Sequence, residues 1–303
     1  MTELSREIFE KYQVRKTKKQ KNAFAALLQA HIPGLWVQEK GLPKSRNLII
    51  GDPETAKVIL SAHYDTCSEL PFPNCIVPQK PLLSILYSFL VVIPFLAAAF
   101  LLHYLADILL RDPLLTYWIS LTVYLLIVFV FLGGPANKHT ANDNTSGVIT
   151  LLEIYYRLSD VQRQQVCFVF FDNEEQGLFG SSQFRKAYKK KMQDKLLINF
   201  DCVSDGDHFL LGISKKANQK YHVPLTRAFP SAEGKKVMLE NLKKIYYPSD
   251  QAGFPVAIAV AALRRGKLIG CYMGRIHTKR DTVFDETNIA YLAEHTVQFI
   301  ENI

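Results

Sequence analysis

The stretch VCFVFFDNEEQGLFGS, residues 166–181, sets the reading of the chain. An apolar run from Val166 to Phe171 has the composition of a buried strand, and it breaks into two adjacent glutamates, Glu174 and Glu175. Two like charges at one strand exit repel, and each costs free energy to desolvate. A solvated turn punctuated by Gly177 and Gly180 would account for an isolated pair. The rest of the chain decides whether this pair is isolated.

Strand and helix signals alternate on both sides of it. NLIIGDPETAKVILSAHYDT, residues 47–66, reads as two short strands around a Gly-Asp-Pro turn. A helix is predicted to begin near Thr145, and a further strand runs through LLINF, residues 196–200. More strand-like sequence fills residues 253–274, and a closing helix presents Ile289, Leu292, Ala293 and Val297 on one face. Residues 4–32 read as one amphipathic helix. Such alternation predicts an α/β fold, its sheet covered by helices on both faces.

Hydrophobic residues make up 49% of the 303 and charged residues 21%, and the apolar excess is local. Pro81 to Leu102 and Pro113 to Gly134 contain no charged side chain. About 20 helical residues cross a hydrocarbon core of about 30 Å, so both stretches are long enough to span. Between them, residues 103–113 carry His103, Asp107, Arg111 and Asp112. Buried core helices would show a polar face, and these do not, so 81–134 reads as a transmembrane helical hairpin. It interrupts one catalytic domain formed by 1–80 and 135–303. Every Lys and Arg except Arg111 lies outside the hairpin, which predicts that both termini and the catalytic domain face the cytoplasm from the cell membrane. The charged start, residues 1–22, is unlike a secretory signal. A net charge of +8 suits a domain beside anionic lipid. Nucleic acid is not an expected partner, since no basic helix is interleaved with aromatics. Five cysteines without a CxxC pair fit a reducing compartment and argue against a thiolate zinc site.

Several predicted strand and loop ends carry chemically loaded residues: His63 and Asp65, Asp143, Glu174 and Glu175, Asp201, then His277 and Asp281. In α/β sheets ligands gather beyond the carboxyl ends of strands, so these residues can converge. Carboxylates and imidazoles suit zinc, cobalt or manganese. One aspartate can bridge two such ions, and a hydrolase needs a further carboxylate, off the metal, to take a proton from water. One glutamate of the pair would then bind metal and the other handle protons, the cations offsetting their repulsion.

In that order, HYD, NDNTSGV, EEQGLFGS, FDC and IHTKRDT resemble the M28 family of co-catalytic zinc peptidases, over nearly all of the chain outside the hairpin. The resemblance implies a zinc-exopeptidase-like fold with a mixed central sheet and a site for two zinc ions, with cobalt or manganese as alternatives. It places His63, Asp143 and Asp201 on one metal and Asp143, Glu175 and His277 on the other. Glu174 matches the general base, and Asp65 the carboxylate that orients the first histidine. YYPSDQAGF, residues 246–254, resembles a Ser-Asp-His stretch of the family, with Gln251 where histidine is usual. Ser249 and Asp250 become candidate substrate contacts, and Tyr246 a candidate support for the tetrahedral intermediate, although Tyr247 is adjacent. Asp281 is expected to back the ligands or to lead into the last helix.

The implied activity is that of a membrane-anchored aminopeptidase acting on peptides. Glutaminyl cyclase or carboxypeptidase chemistry on the same fold, or a non-catalytic membrane scaffold, are the alternatives. His31, His208, His222 and His295 are expected at the surface, as is the lysine-rich run 189–195. His103 and Asp107 are expected to mark the helix end at the far membrane interface, and Cys67 and Cys202 to be structural thiols.

Overall fold

A computed structural model describes residues 1–41 and 43–303. The elements run α1 (Glu3–Lys11), α2 (Lys18–His31), β1 (Trp36–Lys40), β2 (Ser45–Ile50), β3 (Val58–His63), α3 (Pro81–Leu110) and α4 (Pro113–Val128). They continue with α5 (Gly147–Arg157), α6 (Asp160–Arg163), β4 (Val166–Phe171), α7 (Phe179–Ala187), β5 (Leu196–Phe200) and β6 (His208–Ile213). Last come α8 (Lys215–Ala228), β7 (Lys236–Asn241), β8 (Ala257–Gly266), β9 (Gly270–Tyr272) and α9 (Glu286–Glu301).

One mixed sheet has the order β1-β2-β4-β3-β5-β8-β6-β7, with β9 paired to β8. Its centre is parallel: β3 lies between β4 and β5, and β8 follows β5 in the same direction. Every residue of β3, β4 and β5 is buried, as strands covered on both faces must be. Alternate side chains serve two cores. Val166, Phe168 and Phe170 face a cluster completed by α1, α2, α5, α8 and α9, while Cys167, Val169 and Phe171 face Phe184 of α7.

The chain departs from the sequence reading in several places. The expected helix over 4–32 is two, because Thr17 and Gln20 form a capping box that starts α2 afresh. The break lets Arg15 turn fully inward. The two strands expected in 47–66 are β2 and β3, and β4 lies between them in the sheet. The helix of the first apolar stretch continues past His103 and Asp107 to Leu110 and turns at left-handed Arg111. Of the histidines expected at the surface, His208 is buried and His295 is half-buried, its ring 4.1 Å from that of Tyr291. Within the lysine-rich run Met192 is buried and Lys195 half-buried, while Lys189, Lys190 and Lys191 are exposed.

Pro81–Leu110 and Pro113–Gly133 are long and apolar enough to cross a membrane, and scarcely any of either is buried within the protein. They pack on each other. Where they meet the sheet domain, the Phe72 ring lies 5.8 Å from Phe95 and 5.6 Å from Phe131.

Candidate metal centre

Three adjacent parallel strands deliver the first residues. β3 ends on His63, the exit of β4 carries Glu174 and Glu175, and Asp201 follows β5. Asp143 comes from the turn before α5, and His277 from the loop after β9, held at a left-handed φ of 59°. Gly147 permits the approach of that turn to the sheet: a Cβ there would lie 2.4 Å from the Phe200 carbonyl oxygen.

The side chains converge closely. His63 Nε2 lies 3.1 Å from Asp143 Oδ1 and 3.5 Å from Asp201 Oδ1. His277 Nε2 lies 3.0 Å from Asp143 Oδ2 and 3.4 Å from Glu175 Oε2. Two imidazoles thus address the two oxygens of a single carboxylate. Donors placed tetrahedrally about 2.1 Å from one ion are about 3.4 Å apart, so these spacings fit divalent cations. Glu175 Oε1 is buried without a hydrogen-bond partner, a second sign of a missing positive charge. His63, Asp143 and Asp201 form one group of potential metal donors within 4.8 Å of one another. Cys67, Glu175 and His277 form another, which brings in a thiol that the sequence reading left aside.

Electrostatics say the same. Burial would raise the Asp143 carboxyl, but hydrogen bonds from His277 and His63 outweigh it and hold it well below the usual range. Burial pushes Glu175 up to about 8 and Glu174 well above its ordinary value, the neighbouring glutamate adding to the latter. Burial pulls His277 down, yet Glu175 and Asp143 carry it up to about 9. A cation among these carboxylates would offset the charge that burial disfavours.

Supporting groups fix the backbone. Asp65 Oδ1 accepts the Glu174 amide at 3.0 Å and Oδ2 the Glu175 amide at 3.2 Å, while its Oδ1 lies 3.6 Å from His63 Nδ1. The His63 Nδ1 hydrogen-bond partner is the Asp65 backbone carbonyl at 3.2 Å, so Asp65 positions the first histidine through its main chain and both glutamates through its carboxylate. Asp281 accepts the amides of Asn142 and Asp143 at 2.8 and 2.9 Å. Lys21 Nζ reaches Asp172 Oδ1 at 2.5 Å and Asn173 Oδ1 at 2.8 Å, tying α2 to the loop of the glutamate pair. Lys21 carried no motif and was not legible as part of the site.

A cavity of about 370 Å³ opens over the cluster. Tyr247 lines it and Tyr246 does not; the Tyr247 hydroxyl donates to the Asp201 carbonyl at 2.8 Å. Ser249 and Asp250 are fully buried and are not among the residues that line this cavity. Ser249 Oγ instead accepts from Asn199 Nδ2 at 3.0 Å. Apolar walls come from Ile76, Met273, Ile276 and Leu132, the last from the end of the second apolar helix.

The sequence profile of peptidase family M28 matches residues 125–300, more than half of the chain. The chain belongs to peptidase family M28. As an M28 peptidase it is a metallopeptidase, a hydrolase. No curated protein matches it. Solved structures do. The Legionella pneumophila LapA aminopeptidase aligns with a TM-score of 0.55 at 13% identity, over 98% of this chain and 67% of that one. A Zn-dependent exopeptidase from Parabacteroides distasonis gives 0.55 at 16%, over 99% and 96%. The Porphyromonas gingivalis glutaminyl cyclase gives 0.53 at 15%, over 99% and 95%. At these identities the likeness is one of fold, and it includes the mixed sheet flanked by helices.

Proposed function

We propose that this M28 peptidase is a membrane-anchored, two-zinc aminopeptidase that releases N-terminal residues from peptides. The observation that carries the reading is the approach of His63 and His277 to opposite oxygens of Asp143, at 3.1 and 3.0 Å. His63, Asp143 and Asp201 would hold one ion, and Asp143, Glu175 and His277 the other. Zinc, when bound, supplies Lewis acidity that polarises a carbonyl and makes water easier to deprotonate. Glu174 takes the proton from the attacking water and returns it to the leaving amine. Burial raises its proton affinity above that of an ordinary glutamate. Asp65 holds the Glu174 amide, so the base is aimed by a buried contact rather than by a free loop. The apolar wall of Ile76, Leu132, Met273 and Ile276 favours an apolar N-terminal side chain.

In this reading 81–134 crosses the cell membrane as a hairpin, and residues 1–80 with 135–303 form a single cytoplasmic catalytic domain. Both parts contribute strands to the one sheet.

The test is a substrate panel on the detergent-purified full chain, with zinc measured on the same sample. Aminoacyl reporters should turn over, with leucyl or methionyl ahead of lysyl or glutamyl. Cyclisation of N-terminal glutamine peptides, or release of carboxyl-terminal residues in place of amino-terminal ones, would overturn the assignment.

A further inference from the structure

Outside the two long apolar helices, the most exposed large apolar side chain among the described residues is Leu268, at 91% exposure. It sits at the tip of the β8–β9 hairpin, whose ladder pairs Arg264 with Tyr272, Arg265 with Cys271 and Gly266 with Gly270. Gly270, at a φ of 86°, closes a three-residue turn of Lys267, Leu268 and Ile269. The Arg264 guanidinium lies over the Tyr272 ring, 5.8 Å from its centre, so the base of the hairpin is braced. Leu268 is thus displayed on a built projection.

Two further observations say what it meets. Lys80 Nζ donates to the Leu268 carbonyl at 3.4 Å, and Lys80 is the residue before Pro81, where α3 begins. The tip therefore lies at the level where the first span would leave water. Beside Leu268, Arg265 and Lys267 are exposed, and neither has a carboxylate partner among the described residues. One projecting leucine flanked by unpaired cations suits the headgroup region of an anionic bilayer, where the alkyl chain reaches acyl carbon and the cations stay with phosphate. A protein partner or a second copy would need a broader apolar face than Leu268 and half-buried Ile269 present.

We propose that the Gly266–Gly270 tip, led by Leu268, inserts into the anionic face of the bilayer beside α3 and docks the catalytic domain on the membrane. The inference rests on the reading of 81–134 as a membrane hairpin. It has a consequence for the site: Met273, just beyond β9, bonds Ile76 through both backbone amides at 2.9 Å, and both side chains line the cavity. Docking would hold the cavity mouth close to the lipid surface and favour N-termini presented there.

Three single-cysteine labels in the full chain test this, in a Cys75→Ser background because the other four cysteines are buried. Leu268→Cys reports the tip. Leu90→Cys reports α3, and Val161→Cys reports the opposite end of the sheet, before β4. Each is coupled to an environment-sensitive dye and reconstituted in phosphatidylglycerol vesicles doped with headgroup-nitroxide lipid. The Leu268 label should shift to the blue and be quenched, while the Val161 label stays in water. Replacing phosphatidylglycerol by phosphatidylcholine, or Arg265→Glu with Lys267→Glu, should weaken that quenching. A Leu268 label as wet as that at Val161, with the Leu90 label in lipid, would overturn the docking and leave the anchor intact. A blue-shifted Leu268 label that lipid does not quench would point to protein contact and also overturn it. A wet Leu90 label would remove the anchor reading and this inference with it.

Discussion

The Oδ2 of Asp281 accepts the backbone amide of Asp143 at 2.9 Å. Its other oxygen takes the Asn142 amide, so a fully buried carboxylate sets the direction in which Asp143 presents itself to both histidines. Asp281→Ala leaves two buried donors without an acceptor, at about 1–3 kcal/mol each. Thermal unfolding and metal content, measured together, should both fall. Asp281→Asn keeps one acceptor and should be intermediate. Wild-type melting and full metal in Asp281→Ala would show that the turn holds itself.

Asp250 is buried with neither oxygen hydrogen-bonded, while the nearby Ser181 hydroxyl is turned to the Leu178 carbonyl at 3.2 Å. Burial raises the Asp250 carboxyl from its ordinary value of 3.8 to about 7. A carboxyl raised on folding binds its proton more tightly in the native state. Its cost is absent below about pH 4, grows as pH rises, and is complete above about pH 7. Asp250→Asn removes that cost and should stabilise the protein at pH 8 by at most about 4 kcal/mol, with almost no gain at pH 4. Unfolding curves of both proteins across this range check the slope. A constant difference at every pH would mean that the carboxyl does not titrate there.

The parts of the site that could be read in the chain are those where chemistry follows a strand within a few residues. His63, Glu174, Glu175 and Asp201 lie at the ends of apolar runs, so the period of the strands placed them. What escaped depended on tertiary contacts. Tyr246 and Tyr247 differ by one step along a loop, and only the packed loop shows which faces the cavity. Ser249 and Asp250 lie beneath the surface that their motif suggested. β7 is neither wholly buried nor alternating, and α8 carries Pro224 inside it, so neither gave a clear period. The break between α1 and α2 hid in a run of lysines, although Thr17 and Gln20 carried the capping signal.

The two apolar helices make an orientation testable. Asp112 caps α4 in the short turn after Arg111, and Lys189 is exposed on the sheet domain. With every other basic residue on the domain side, that side should be cytoplasmic. An impermeant thiol reagent applied to intact cells should label Asp112→Cys and spare Lys189→Cys until the cells are opened. Labelling of Lys189→Cys in intact cells would reverse the topology.

The glutamate pair should separate by role. Glu174 and Glu175 share the Asp65 carboxylate through their amides, but only Glu175 approaches His277, at 3.4 Å. Glu174→Gln preserves shape and removes the base, so it should keep both metals and lose about 10²–10⁴ in turnover. Glu175→Gln weakens one ligand, so occupancy of one site should fall and added zinc should restore part of the rate. Asp143→Ala removes the carboxylate both histidines address and should empty both sites together. Metal and rate measured on the same samples decide the matter. Loss of metal in Glu174→Gln with retention in Glu175→Gln would exchange the two roles. Full metal and full rate in both would remove the two-metal centre and return the pair to an ordinary turn.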